Sequence, residues 1–371
     1  MARETLPGEA RVALVPDVVT SLTKLGYEVA IQPGAGLGAL ERDVAYQEAG
    51  ALILEDAPAD AALVVSVQPL STSYLQALTP GTATLSFFPS TSRLADVVLR
   101  REQRLTSFAM ELVPRISRAQ SMDALTSQAL VTGYRGAVVA AGRLRQFFPL
   151  NMTAAGTVPP AQVVVLGAGV AGLQAIATAK RLGAVVKAFD VRPSSAEEIR
   201  SVGAIAIDLD LPPLEGAGGY AREMTEDRAA RQRDLLAPHI AAADALITTA
   251  AVPGRQAPLL VTAAMVEQMP PGSVVVDLAA ESGGNVEGSV AGEVVRIGVA
   301  QVWGGRNVPS QMPGPASRLY AQNIVNLLTL MTVTDEEGTG RFAPDFADEI
   351  VAGACVTHAG EIRHLPTREA L

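Results

Sequence analysis

The sequence reads as an α/β protein of two Rossmann-like domains with parallel sheets, on three observations. Hydrophobic residues make up 49% of the 371 residues while aromatics are only 4%, a mixture that suits Val-rich strands covered by Ala-rich helices. Strand-like and helix-like runs alternate along the chain, which points to parallel βαβ units. Residues 161–193, "AQVVVLGAGVAGLQAIATAKRLGAVVKAFDVRP", contain one complete strand–turn–helix–strand. The length suffices for two domains of ordinary size.

In order, "RVALVP" (11–16) predicts a strand and "DVVTSLTKLG" (17–26) a short helix with Asp17 at its start and Gly26 at its end. Strands are expected within 27–36, 62–69, 82–89 and 104–113, with a helix over 92–103. The stretch 124–149 has no proline before Pro149 and reads as a long connecting helix weakened by Gly133, Gly136 and Gly142. "LPPLEGAGGYAREM" (212–224) reads as a surface loop. The stretches 242–254, 273–285 and 298–307 each begin as a strand and end in small or polar residues. That pattern puts loops at the carboxyl ends of parallel strands, where ligands bind in open α/β sheets. A helix is expected over 317–332.

Net charge is −9 without a Lys/Arg run, which argues against a nucleic-acid partner. The single cysteine, Cys355, excludes an intramolecular disulfide framework and fits a reducing cytoplasm. The most apolar long stretch, 163–179, is shorter than a spanning helix and carries three glycines in its first half. No Zn-type Cys/His cluster is visible.

Gly167, Gly169 and Gly172 follow a Val-rich strand and open an Ala-rich helix, the context that a dinucleotide fingerprint requires. Gly167 allows the tight turn, Gly169 the approach of a pyrophosphate, and Gly172 close helix–strand packing. Val170 follows the second glycine and starts the helix, whose free N–H groups favour an anion. Asp190 ends the next strand, with Val191 and Arg192 beside it. An acid there accepts hydrogen bonds from ribose hydroxyls and repels a 2′-phosphate, so NAD(H) is expected over NADP(H). Arg192 is the competing feature, since an arginine at that place can hold a 2′-phosphate.

Acid–base machinery for reducing a small carbonyl is hard to find. The three histidines, His239, His358 and His364, lie at a helix end and in the polar C-terminal stretch. A strong nucleotide site without a proton donor suits hydride transfer from one nicotinamide directly to another, which needs alignment and exclusion of water.

The runs "RVALVP", "MELVPRISRAQSMD", "TAAGTVPPAQVVVLGAGVAGLQAIATAKRLGA", "AGGYAREM" and "DLAAESGGN" together resemble the NAD(H)-binding component (alpha subunit, domain I) of proton-translocating NAD(P) transhydrogenase. Alanine dehydrogenase is a related family. Its N-terminal arginine is matched by Arg11, but Gln68 stands where it has a lysine and Phe88 where it has the catalytic histidine.

The resemblance implies a polar loop that holds the nicotinamide end of NAD(H), carrying Arg115, Gln120 and Asp123. Ser117 and Arg118 lie in the same segment, and Thr126 keeps a hydroxyl where relatives often have serine. It implies a mobile loop at Gly219 and Tyr220 that closes over the nucleotide, and a contact at Ala251 where relatives commonly have leucine. Glu281 is a candidate polar contact at a strand end, or equally a cap of the following turn. The implied domains are roughly 1–126 plus 312–371, and roughly 127–311, with NAD(H) in the cleft between them. The implied assembly is a homodimer with a membrane-spanning component and an NADP(H)-binding component, cytoplasmic and peripheral at the inner face of the plasma membrane. No long apolar tail follows residue 330, which places the membrane part on another polypeptide or beyond the end of this one. The alternatives are an alanine-dehydrogenase-like oxidoreductase and a nucleotide-sensing module without catalysis of its own.

Overall fold

The computed structural model describes residues 1–56, 61–211, 225–251, 254–335 and 340–371. They form two units, Met1–Gln128 with Pro309–Leu371, and Ala129–Val308. The first unit opens with α1 (Pro16–Lys24), which has a proline in its first turn, Asp17 near its positive end and Lys24 near its negative end. It buries Val18, Val19 and Leu22. β1 (Ala30–Ile31), α2 (Asp43–Glu48) and β2 (Leu52–Ile53) follow, and the two strands pair in parallel. β3 (Leu63–Val65), α3 (Thr72–Ala77), β4 (Ala83–Ser86), α4 (Leu94–Glu102) and β5 (Thr106–Ala109) continue the alternation. These three strands are parallel.

The expected strand at 11–16 is absent, and the helix begins at Pro16. Val12, Ala13, Leu14 and Val15 are buried, so the apolar run is core, but its N–H groups bond outside any ladder. Val12 donates to Ser317 Oγ at 2.9 Å and Leu14 to Met1 Sδ.

α5 (Ala124–Arg143) carries the chain into the second unit and ends before the expected 149. A hairpin of β6 (Asn151–Thr153) and β7 (Gly156–Val158) comes next. Then come β8 (Gln162–Leu166), α6 (Val170–Arg181), β9 (Val185–Phe189), α7 (Ser195–Ser201) and β10 (Ile205–Ala206). α8 (Glu226–Ala241), β11 (Ala245–Thr248), α9 (Ala263–Glu267), β12 (Val274–Asp277), β13 (Val294–Ile297) and β14 (Ala300–Gly304) complete the unit. The seven-stranded sheet has the order β10-β9-β8-β11-β12-β14-β13, parallel except for β13. The order reverses between β8 and β11, the topological switch point of a doubly wound sheet. Both faces are covered. Val163, Val165, Ile247 and Val276 enter one core, and Val164, Leu166, Leu246 and Val275 the other. That is why these strands read as unbroken apolar runs.

The chain returns to the first unit through α10 (Pro313–Leu330) and a hairpin of β15 (Thr332–Thr334) and β16 (Gly340–Phe342). α11 (Glu349–Ala354), β17 (Cys355–His358), β18 (Glu361–Ile362) and α12 (Leu365–Glu369) follow. β17 adds antiparallel to β5, giving a five-stranded sheet in the order β18-β17-β5-β4-β3. β1 and β2 remain a separate pair.

Candidate functional site

The second unit brings its glycine motif to the switch point. β8 ends at Leu166, and Gly167 turns the chain with φ +98°, a conformation that disfavours any Cβ. A Cβ on Gly172 would lie 1.9 Å from the Gly167 carbonyl oxygen, whereas a Cβ on Gly169 would meet nothing within 4 Å. One glycine thus permits packing and the other leaves open space above the backbone. α6 begins at Val170, 40% exposed, with no side chain capping its N-terminus. Its N–H groups at this end are available to an anion. Open space, free donors and a nearby acid fit a dinucleotide pyrophosphate and ribose.

Asp190 closes this corner. Its Oδ2 accepts from the Ala168 N–H at 2.7 Å, and its Oδ1 accepts from the Arg192 N–H and Nε, both at 2.9 Å. Arg192 is therefore turned back onto the acid in an ion pair. The guanidinium's proton is held more tightly, first because of the Asp190 hydrogen bond. Val191 lies between the pair, half-buried.

The neighbouring strand ends are tied together by residues that the sequence reading did not single out. Thr249, just past β11, donates its hydroxyl to the Gly167 carbonyl at 3.2 Å. Asp277, fully buried, accepts from the Thr248 hydroxyl and from the N–H groups of Ala279, Asn285 and Val286. Asn285 accepts from the Ala250 N–H and donates to the Ala250 and Pro258 carbonyls. The signal was present in "TTAAVPG" and "ESGGN": buried polar residues at strand ends must find partners. Ala251 is exposed beside that clamp. Glu281 is held locally, its Oε2 accepting from the Asn307 N–H at 2.9 Å. Gly219 and Tyr220 lie outside the described residues.

In the first unit, residues 114–123 form a 3₁₀ segment, Ser117–Met122, packed with buried Ala119 and Met122 inward. Its back is fixed to α10, with the Ser121 carbonyl accepting from Asn323 and Asn326. Arg115, Ser117, Arg118 and Gln120 face outward and are exposed. Asp123 caps α5, accepting from the Thr126 N–H at 2.9 Å and its hydroxyl at 2.6 Å. Arg118 pairs with Asp348 at 2.6 Å and reaches Glu349. The polar edge is displayed on a rigid scaffold, while two of its members also do local structural work.

The three positions compared with alanine dehydrogenase, the matching Arg11 and the departing Gln68 and Phe88, lie in this unit. Arg11, 5% exposed, donates twice to Glu9 and once to Gln128. Gln68 donates to the same Glu9 carboxylate at 2.8 Å, and Ser310 also donates to it. Burial raises the Glu9 pKa, but the Arg11 hydrogen bond and charge outweigh it and bring the carboxyl down to about 2. Phe88 is buried under the Arg100 guanidinium, 4.3 Å from its ring centre. Among the histidines, His358 contacts Thr106 and the Phe346 ring, and His364 contacts Thr367. Burial lowers the pKa of all three.

Family models described as alanine dehydrogenase/PNT match the chain twice, the N-terminal domain over residues 1–132 and the C-terminal domain over 136–365. The chain belongs to the alanine dehydrogenase/PNT family. It is 43% identical over 373 residues to the first of the polypeptides that make up NAD(P) transhydrogenase subunit alpha in Rhodospirillum rubrum, covering 98% of this chain and 96% of that protein. It is 34% identical over 296 residues to alanine dehydrogenase of Mycobacterium tuberculosis, covering 77% of this chain and 73% of that one. A crystal structure of transhydrogenase from Sinorhizobium meliloti superposes with a TM-score of 0.85 at 41% identity, covering 98% of each chain. The α/β fold with parallel sheets and two domains is thus that of the alanine dehydrogenase/PNT family.

Proposed function

We propose that this member of the alanine dehydrogenase/PNT family is the NAD(H)-binding component of an NAD(P) transhydrogenase. The observation that carries the reading is the corner built by Gly167, Gly169, Gly172 and Asp190, in which Gly169 alone of the three glycines faces open space. NAD(H), when bound, supplies the hydride. The protein's own residues bind and orient it. The α6 N-terminus and the Gly169 backbone take the phosphates, and Asp190 takes the ribose hydroxyls, with Arg192 held on the acid rather than offered to a 2′-phosphate. Arg115, Gln120 and Asp123 align the nicotinamide ring, and Gly219 and Tyr220 close over the nucleotide. The acceptor is NADP⁺ on a partner subunit, and C4-to-C4 transfer moves no proton at the reacting carbons, so no general acid is required. A membrane partner couples this transfer to proton translocation, and the chain works at the inner face of the membrane. Among the described residues no helix is long and apolar enough to cross a membrane.

A homodimer fits the exposed apolar side chains around the β6–β7 hairpin, Phe147, Leu150, Met152 and Val158. Against an amino-acid oxidoreductase stands the Arg11 cluster. A guanidinium whose donors go to Glu9 and Gln128, beside Gln68 and with Phe88 in the place of the family's histidine, lacks the groups that handle a small carbonyl. The test is NADH titration together with an assay for L-alanine and pyruvate turnover. Saturable NADH binding without turnover supports the reading. NAD-dependent oxidation of L-alanine by this chain alone would sink it.

A further inference from the structure

The peptide that joins Gly167 to Ala168 is gripped at both ends. Its N–H, on Ala168, donates to Asp190 Oδ2 at 2.7 Å. Its carbonyl, on Gly167, accepts from the Thr249 hydroxyl at 3.2 Å, the partner it has among the described residues. The same hydroxyl lies 3.4 Å from the Leu166 carbonyl, but that carbonyl already accepts from the Thr249 N–H at 2.9 Å. The Gly167 carbonyl is thus the acceptor that depends on the side chain.

Gly167 sits at φ +98°, and a glycine can take many other conformations. The pose of the turn is therefore set by its partners rather than by its own sterics. On the β9 side these are Asp190 and the Phe189 carbonyl, which accepts from the Gly167 N–H at 2.8 Å. On the β11 side the turn is held by the single hydroxyl of Thr249. Just beyond, the ladder of α6 starts with the Leu173 N–H donating to the Gly169 carbonyl. The N–H groups of Val170, Ala171 and Gly172 lie ahead of that bond, at the open end of the helix. A rotation of the Gly167–Ala168 peptide would tilt the chain that enters this end and turn those donors away.

The hydroxyl is aimed from behind. Ala250, the next residue, has its N–H held by Asn285 Oδ1 at 3.0 Å and its carbonyl by Asn285 Nδ2 at 2.7 Å. Asn285 is fully buried, and its own N–H donates to Asp277. With the backbone pinned on both sides, a β-branched side chain has few rotamers left. The fit against the turn is close, since a Cβ on Gly167 would come 2.5 Å from the Thr249 Oγ1.

We propose that Thr249 is a positioning residue for dinucleotide binding, acting through the Gly167–Ala168 peptide on the N–H groups that meet the pyrophosphate. The proposal deepens the function given above and rests on it. Asp190 and Thr249 work as a pair across the turn. Asp190 grips the peptide and meets the ribose, whereas Thr249 grips it and meets only protein.

The test compares Thr249→Val and Thr249→Ser in the full chain. Thr249→Ala is measured beside them, because it removes the hydroxyl without placing a methyl against the turn. NADH and ADP-ribose are titrated well below the melting temperature of each variant. ADP-ribose carries the pyrophosphate and lacks the nicotinamide, so a fault in the turn weakens both ligands alike. Val and Ala are expected to weaken both by about tenfold, the scale of one hydrogen bond, while Ser stays within about twofold of the unsubstituted chain. Unchanged affinities in Val and Ala would overturn the proposal, whatever happens to melting, because a merely structural hydroxyl moves melting alone. A loss confined to NADH would also overturn it, as would a Ser variant as weak as Val. An unsubstituted chain that bound neither ligand would overturn the function reading itself, and this proposal with it.

Discussion

The corners at the amino ends of the two units solve one problem differently. In the second unit a five-residue strand, β8, is buried on both faces and delivers Gly167 to the switch point. In the first unit the apolar run Val12–Val15 packs into the core without a ladder, its Val12 and Leu14 N–H groups bonding to side chains. A buried central strand carries both the apolar core and the turn beyond it. Where the apolar run forms no ladder, the polar residues just ahead of it bond to one another, in the Glu9–Arg11–Gln128 cluster. The difference teaches that an apolar run becomes a central strand with a glycine turn beyond it, or core without a ladder beside an ionic cluster, according to the residues that flank it.

The largest expected effect breaks the second corner. Gly172→Ala drives a methyl against the Gly167 carbonyl at 1.9 Å, and overpacking of this kind costs roughly 1–3 kcal/mol or more. Denaturant melts are expected to show that loss together with loss of NADH binding. Gly169→Ala sharpens the contrast, because its methyl meets nothing within 4 Å. Melting is expected to stay unchanged while NADH affinity, read by fluorescence titration, falls at least about tenfold, a 1.4 kcal/mol step. Equal effects of the two substitutions would remove the distinction between packing glycine and ligand glycine.

Smaller effects belong to the first unit. Gln120→Asn is expected to slow hydride transfer to the partner's nucleotide about tenfold while NADH affinity changes little; equal losses in both would argue against a role in aligning the ring. Glu4 supplies a pH signature. Burial is the main cause that raises its carboxyl to about 7, so the folded unit holds a proton there that the unfolded chain releases above about 4.5. Its contribution to stability is present below that value and is lost as pH rises through about 7. Glu4→Gln is expected to flatten melting temperature over that window, and an unchanged slope would show that another group sets it. The smallest effect is Arg118→Ala. Its pair with Asp348 is largely exposed, and no measurable change in melting temperature is expected.

Much of the α/β plan is legible in the sequence where one physical signal dominates. The run "VVVL" before G-x-G-x-x-G can only be a strand buried on both faces, and β8 is that strand. "RVALVP" carries an equally apolar signal and is not a strand, because burial alone does not fix hydrogen bonding and Pro16 starts a helix there. The short helices α2, α3 and α7 escaped notice because six or seven residues leave too little periodicity to read. At the site, the glycines announce themselves by spacing, whereas Thr249, Asp277 and Asn285 matter only through partners that the fold brings to them. Arg118 and Asp123 likewise acquired local partners, Asp348 and Thr126, that no linear pattern displayed.

The most direct test of hydride transfer between two nicotinamides is a single-turnover mixing experiment with the assembled partners. NADH bound to this chain is mixed with NADP⁺ bound to the NADP(H)-binding component, and the deuterium label at nicotinamide C4 is followed. The label is expected to pass directly to the second nucleotide, without exchange with water, and only when both components are present. Label lost to solvent, or NADH consumed with pyruvate and ammonia in the absence of the partner, would contradict it.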